Sequence, residues 1–118
     1  MNIFEITKQQ WIDFSTYHAS RRNLIIHLFA VPTFIIGLIL FVYGLVNLGL
    51  IETLDAILIM AISLGVQSYG HSNEEVRSSS FAGPIDALTR ILLEQLINYP
   101  RFLLTGKWYA ALRTSKNH

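Results

Sequence analysis

Histidine is the residue type in this chain that is best suited to chemistry, and three of its four copies border apolar segments. His18 and His27 lie around the start of one segment, and His71 lies at the end of the next. If the two segments form a helical hairpin, these ends return to the same side and the three imidazoles meet. Because neutral imidazole is the commonest metal ligand in proteins, this placement predicts a metal site.

Two further polar residues share helix faces with these histidines. Asn23 precedes His27 by four residues, and Glu75 follows the third histidine by four, so each pair lies on one side of a helix. His18 and His27 are nine residues apart, which would put them on opposite sides of one straight helix. A shared site therefore requires a break in the helix, and Ser20 to Asn23 is the expected position.

Each of these polar candidates also has a structural interpretation. A single histidine near a helix end is more often exposed or capping than a metal ligand. His27, however, lies one turn inside an apolar segment, where burying an unpaired polar side chain is costly. Asn23 and Gln67 are equally compatible with hydrogen bonds between helices. Gln67 lies one turn before His71 and is also placed to orient that ring.

The charged residues beside the predicted site have interpretations of their own. We expect Glu74 to be a solvated neighbour of Glu75. Arg21 and Arg22 most simply contact lipid phosphates, and the sharper alternative is that they bind the carboxylate of a substrate.

The distribution of charge predicts a single membrane domain over residues 1–118. Apolar residues make up 52% of the chain and charged residues 14%, against about 25% in soluble domains. All nine Lys and Arg lie at or before Arg22 or at or after Arg77, so the middle of the chain has no basic residue. The positive-inside rule then places both termini and the three histidines on the cytoplasmic side. A bacterial inner membrane and the endoplasmic reticulum fit equally well.

Hydrophobic patterning predicts an all-α fold built on an integral membrane hairpin. Residues 24–46 contain no charged side chain and, at 1.5 Å per residue, are long enough to cross a hydrocarbon core of about 30 Å. The second span covers about 48–70, with a turn placed within Asn47 to Asp55. Pro32 would kink the first span, and Gly37 and Gly44 would admit a close neighbouring helix.

Flanking helices are expected on both sides of the hairpin. Residues 2–19 are amphipathic, which is typical either of a helix in the headgroup zone or of an ordinary docked helix. After a polar loop over 72–80, Pro84 is expected to open a helix that either lies in the interface or packs along the hairpin. Its charged stripe would form two i,i+4 salt bridges among Asp86, Arg90 and Glu94, and Pro100 would end it.

Several classes of function are excluded by composition. The chain has no cysteine, which excludes disulfides, thiolate nucleophiles and cysteine-ligated metal sites. A net charge of +1 without a basic block gives no reason to expect nucleic acid. The membrane di-iron desaturases and hydroxylases need more histidines than the four present. Imidazole with a carboxylate suits iron(II) or zinc, and open coordination positions suit oxygen chemistry.

The histidine-containing segments resemble two motifs of the small membrane 2-hydroxy fatty-acid dioxygenases. The first motif comprises Tyr17-His18, Asn23, His27 and Pro32, and the second comprises Gln67, Gly70-His71 and Glu75. The order and separation of the motifs match the family, and the likeness extends over most of the chain, thinning after Ser78. The chain departs from the family at Ala30, where Gly is usual, and at Ser79-Ser80, where Pro-Ala is usual.

The resemblance implies an iron(II)-dependent oxygenase of fatty-acid α-oxidation, which cleaves the C1–C2 bond of a long-chain 2-hydroxy fatty acid with O₂. Its iron ligands would be His18, His27 and His71. Glu75 would be a fourth ligand, a base, or a partner that orients a histidine, and Asn23 would bond to a ligand or to the substrate hydroxyl. The candidate substrate-binding residues are Tyr17, Arg22 and Gln67.

Two alternatives stay open at this point. A non-enzymatic membrane hairpin that binds lipid or a partner protein predicts no stoichiometric metal after purification. A zinc-dependent lipid hydrolase predicts activity without O₂.

Overall fold

The computed structural model describes residues 2–76 and 80–115, and every regular element in these ranges is helical. Residues 77–79 of the predicted loop lie outside the described residues. The elements are α1 (Ile3–Tyr17), α2 (Arg21–Val46), α3 (Leu50–His71), α4 (Pro84–Leu93), a π-helix (Glu94–Asn98), α5 (Tyr99–Leu104) and α6 (Lys107–Thr114). The predicted all-α class is confirmed.

The two longest helices, α2 and α3, are long and apolar enough to cross a membrane. They have 26 and 22 residues and are joined by a turn at residues 47–49. In that turn Leu48 adopts a left-handed conformation with φ of 55°, and Gly49 N–H donates to the carbonyl of Gly44. The turn is shorter than predicted, because Glu52 and Asp55 already belong to α3, where they are exposed.

Helices α2 and α3 pack against each other antiparallel along their length. Near the turn, Gly44 lies against Thr53, and midway the hydroxyl of Ser63 donates to the carbonyl of Ala30. At the opposite end Gly70 lies against the side chain of Asn23. These contacts bring the start of α2 beside the end of α3, which is the arrangement needed for His27 and His71 to meet.

Substituting Gly44 by alanine is expected to destabilise this packing by about 1–3 kcal/mol, because overpacking a close contact forces the backbone apart. A Cβ at Gly44 would lie 2.8 Å from the backbone nitrogen of Thr53, which cannot move without shifting α3. Gly65→Ala is the matched control, since a Cβ there meets nothing within 4 Å. Thermal unfolding of the two variants in detergent measures the difference. Equal losses of stability would show that α2 and α3 are not in close contact at Gly44.

The outer faces of α2 and α3 carry apolar side chains that the described protein leaves uncovered. Phe29, Ile39 and Leu50 are examples, with 69%, 65% and 71% of their surface exposed. In an apolar stretch of 18 residues within each helix, only 28% of the residues of α2 and 17% of those of α3 are buried. The core helix of a soluble protein would be mostly buried, and large exposed apolar faces of this kind mark surfaces that contact a membrane or another protein.

Helix α1 and the C-terminal helices close over one end of this pair. A buried cluster of Phe14, Leu24, Val31, Tyr99 and Phe102 joins α1, α2 and α5. Polar contacts add to the docking of α1, since the Gln10 side chain donates to the carbonyl of Arg90. Helix α1 is thus a docked helix on one face, although Phe4 on its other face is 85% exposed.

The C-terminal helical run begins at Pro84, as predicted, but it does not end at Pro100. A π-helix precedes this proline, and α5 continues through it. Proline has no N–H and its ring crowds the carbonyl four residues earlier, here that of Leu96, so the wider turn relieves the clash. One of the two predicted salt bridges forms, between Arg90 and Asp86 at 2.9 Å, whereas Glu94 lies beside His18 instead.

Candidate metal centre

A break between α1 and α2 places His18 at the site. Helix α1 ends at Tyr17, and Ser20 caps α2 by accepting from the N–H of Asn23. The break therefore begins slightly before the predicted Ser20 to Asn23. As a result His18 leaves the helical register and turns toward His27, although the two residues are nine apart in sequence.

The carboxylate of Glu74 holds this break in place. Its Oε1 accepts from the main-chain N–H groups of Ala19 and Ser20 at 3.0 and 2.9 Å, and its Oε2 accepts from Asn23 Nδ2 at 2.6 Å. The expectation of a solvated Glu74 was wrong, because these donors draw the side chain inward until only 9% of the residue is exposed. Glu74 thereby ties the end of α3 to the start of α2.

The three imidazoles form a compact triangle. The ring centroids of His18, His27 and His71 lie 4.8–4.9 Å apart, and the rings are close to perpendicular to one another. One ligand atom from each ring lies within 4.8 Å of the others, close enough for a single ion to be shared. Phe14 stacks on His18 with 4.0 Å between centroids and restricts the rotation of that ring.

The hydrogen bonds of the rings leave a nitrogen lone pair available on His18 and on His27. His18 Nδ1 lies 2.9 Å from the carbonyl of Phe14, and His27 Nδ1 lies 3.1 Å from the carbonyl of Asn23. A carbonyl only accepts, so each Nδ1 carries the proton and each Nε2 presents a lone pair. Both Nε2 atoms are buried without a hydrogen-bond partner. The ring of His71 is held by a hydrogen bond to the main chain of Tyr17. Rings oriented by main-chain carbonyls are typical of metal ligands.

Burial controls the protonation of His18 and Glu94. It is the main cause that lowers the pKa of His18 well below its ordinary value, with His27 and His71 adding to the effect. Burial also raises the pKa of Glu94 to about 7, against the opposing hydrogen bond from Gln95. The His18 ring is therefore neutral at physiological pH, as a metal ligand must be.

Glu94 is the carboxylate that the fold brings beside His18, next to the group of three histidines. Its Oε1 lies 3.5 Å from His18 Nε2, and its Oε2 accepts from Gln95 Nε2 at 3.2 Å. Gln95 in turn forms a reciprocal amide pair with Gln67, with distances of 2.7 and 3.0 Å. This chain of hydrogen bonds connects the π-helix to α3.

The other residues predicted for the site lie at varying distances from the cluster. Glu75 is exposed one residue beyond Glu74 and is outside the histidine group. Arg22 is exposed at the start of α2, and Tyr17 is half-buried. Both amide atoms of Gln67 are engaged by Ser63 and Gln95, which makes it a bridge between helices in this arrangement.

The sequence analysis missed Glu94 because it assigned this residue to a charged stripe of i,i+4 salt bridges with Asp86 and Arg90. A signal was nevertheless present. Glu94, Gln95 and Asn98 are closely spaced polar residues in an otherwise apolar segment just before Pro100. Gln95 and Asn98 are fully buried in the structure, so polarity there marks an inward face.

Asn23 is placed as a structural tie. Its side-chain amide donates to Glu74 Oε2 and to the main-chain carbonyl of Tyr17. The main-chain carbonyl of Asn23 accepts from the ring of His27. It therefore acts on the cluster through His27 and Glu74.

Comparisons of the chain with protein-family models, with curated proteins and with solved structures find no match. The geometry and chemistry of the histidine cluster are therefore what bears on function.

Proposed function

We propose that this protein is a membrane-embedded iron(II)-dependent dioxygenase that converts a long-chain 2-hydroxy fatty acid and O₂ to a fatty acid one carbon shorter. The observation that carries the proposal is the triangle of His18, His27 and His71, in which two buried Nε2 lone pairs have no hydrogen-bond partner. Burying unpartnered polar atoms is costly, and a cation shared by the three rings removes that cost. Three imidazoles with a nearby carboxylate suit iron(II) and leave positions open for other ligands.

The proposed setting is a bilayer crossed by α2 and α3 as a hairpin. The support is their length, their uncovered apolar faces and the absence of Lys and Arg between Arg22 and Arg77. The positive-inside rule puts the histidine end on the cytoplasmic side. The cluster then lies at the level of the headgroups, where the carboxylate of a fatty acid resides while its tail stays among lipid chains.

The residues of the chain have separate tasks in this proposal. The three imidazoles would hold the iron, and iron(II) bound there would supply O₂ activation and binding of the 2-hydroxy carboxylate. Arg22, exposed at the start of α2, attracts the substrate carboxylate from the membrane surface. Phe14 covers one face of His18 and keeps water from that side of the site.

The stoichiometry of the proposed reaction is self-contained in electrons. The reaction R–CHOH–COOH + O₂ → R–COOH + CO₂ + H₂O breaks the C1–C2 bond and oxidises both carbons. Together they lose the four electrons that reduce O₂, so the substrate itself is the reductant. No reductase partner is required for turnover, in contrast to oxygenases that draw electrons from outside.

Product analysis tests the proposal. Purified protein in detergent is loaded with iron(II), given 2-hydroxypalmitic acid in air, and assayed by mass spectrometry for the acid one carbon shorter. We expect product that depends on O₂ and on iron, with one CO₂ released per acid and no requirement for an external electron donor. Hexadecanoic acid without the hydroxyl is the matched control and should not be shortened.

Other outcomes would assign the protein differently. Activity on lipid esters that persists without O₂ in zinc-loaded protein would favour a hydrolase. Iron-loaded protein that yields no shortened acid would contradict the dioxygenase. Protein that retains no metal at all would favour the non-enzymatic hairpin.

A further inference from the structure

The carboxylate of Glu94 and the imidazole of His18 face each other in a way that requires a cation. Glu94 Oε1 lies 3.5 Å from His18 Nε2. Because the His18 Nδ1 proton is committed to the carbonyl of Phe14, Nε2 presents a lone pair to an oxygen that also presents one. Two acceptors in contact repel unless a positive group lies between them.

A metal ion satisfies this arrangement better than a proton. The Nε2 of His27 is a further buried lone pair without a hydrogen-bond partner, and its ring centroid lies 4.9 Å from that of His18. One proton between Glu94 and His18 would leave His27 unpartnered. A single metal ion held by the imidazoles would satisfy both Nε2 lone pairs and attract the Glu94 oxygen that lies 3.5 Å from His18 Nε2.

Oε2 of Glu94 is held by a hydrogen bond, and Oε1 is the oxygen that faces His18. Gln95 Nε2 donates to Oε2, and the same amide is fixed by its reciprocal pair with Gln67. Gln95 is fully buried, so this anchor does not rotate freely. Outer hydrogen bonds of this kind orient metal-ligating carboxylates.

The position of Glu94 in the fold points to the same role. It is the first residue of the π-helix, a rare element that occurs frequently at functional sites. Its carboxylate reaches His18 from a different helix, 3.5 Å from Nε2, and would move toward an ion shared by the three rings, because it lies outside the group whose ligand atoms are all within 4.8 Å of one another.

We propose that Glu94 is the fourth protein ligand of the metal centre, with Gln95 as the residue that positions it. The proposal rests on the metal centre described under the proposed function. It assigns to the π-helix the carboxylate that the sequence motif places at Glu75.

Cobalt(II) binding tests the assignment without relying on turnover. The wild-type protein and the variants Glu94→Gln, Glu94→His and His27→Ala are titrated with Co²⁺ in detergent. Affinity and the visible ligand-field spectrum are the readouts. Glu94→Gln keeps the shape of the side chain and removes its charge, so we expect affinity to fall about 100-fold or more and the spectrum to change. Glu94→His restores a ligand and should recover most of the affinity with a shifted spectrum. Glu52→Gln, an exposed change at the far end of α3, is the control and should match wild type.

The outcomes separate this proposal from the proposed activity. If Glu94→Gln binds Co²⁺ with wild-type affinity and spectrum while His27→Ala does not, Glu94 is not a ligand and the histidine centre stands. If Glu94→Gln loses affinity but the wild-type iron form produces no shortened acid, the ligand assignment stands and the dioxygenase proposal falls. Wild-type protein that binds neither Co²⁺ nor iron(II) would overturn both.

Discussion

Substituting His27 by alanine is expected to yield a protein that retains no stoichiometric iron and has no measurable dioxygenase turnover. His27 is fully buried, and its Nδ1 is fixed by the main-chain carbonyl of Asn23, so its Nε2 presents a lone pair for a metal ion. Loss of one of three imidazoles leaves too few protein donors on that side of the ion. His18→Ala and His71→Ala should behave in the same way.

Metal content, turnover and thermal stability measure this effect together. A ligand that binds only the folded state adds about 2.7 kcal/mol at 100 times its Kd, so wild type should gain stability on loading and His27→Ala should not. Phe29→Ala is the matched control, because it truncates an exposed side chain on the same helix two residues away. If two of the three histidine variants kept both iron and turnover, the assignment of the metal centre would be wrong.

Glu74→Ala is expected to lower the free energy of unfolding by about 3 kcal/mol and the affinity for metal by at least about 10-fold. The substitution removes the acceptor for the N–H groups of Ala19 and Ser20 and for the amide of Asn23. Buried donors left without partners cost about 1–3 kcal/mol each, and hydrogen bonds to charged acceptors are among the stronger ones. Because these donors define the break that positions His18, the metal site loosens together with the fold.

Comparing Glu74→Ala with Glu74→Gln and Glu75→Ala distinguishes the loss of these hydrogen bonds from a general loss of negative charge. Glu74→Gln keeps an acceptor oxygen for the main-chain donors but sets an amide NH₂ against Asn23 Nδ2, so its effect should lie between wild type and Glu74→Ala. Glu75→Ala removes the neighbouring exposed carboxylate and should change the unfolding free energy by less than about 0.5 kcal/mol. Chemical denaturation and Co²⁺ titration provide the two readouts. A larger loss of metal affinity in Glu75→Ala than in Glu74→Ala would favour Glu75 as the functional residue.

Much of the architecture could be predicted from the hydrophobic periodicity and capping residues of the sequence. The all-helical class, the helix over most of residues 2–19 and the opening of α4 at Pro84 all follow from periodicity and capping rules. The requirement for a break between His18 and His27 followed from helix geometry, and the structure has that break between Tyr17 and Arg21. Element boundaries were less accurate, as shown by the turn at residues 47–49, because apolar helices in a pair continue until tertiary contacts end them.

The sequence pattern could not predict which of the glutamates are buried near the histidines. Glu74 and Glu75 are adjacent in sequence and have the same chemistry, yet one is buried and the other exposed. The difference arises from donors more than 50 positions earlier in the chain, at Ala19, Ser20 and Asn23, which only folding brings near. Local sequence carries no record of that contact.

The amino-acid sequence by itself determined that two long apolar helices form, that basic residues stay at the ends of the chain, and that three histidines border those helices. These properties depend on composition and on periodicity within one segment. The tertiary structure alone decided that Glu94 faces His18 and that Glu74 clamps the start of α2. Such contacts join residues from different helices, and their positions are set by side-chain packing and by the π-helix before Pro100, which no single segment specifies.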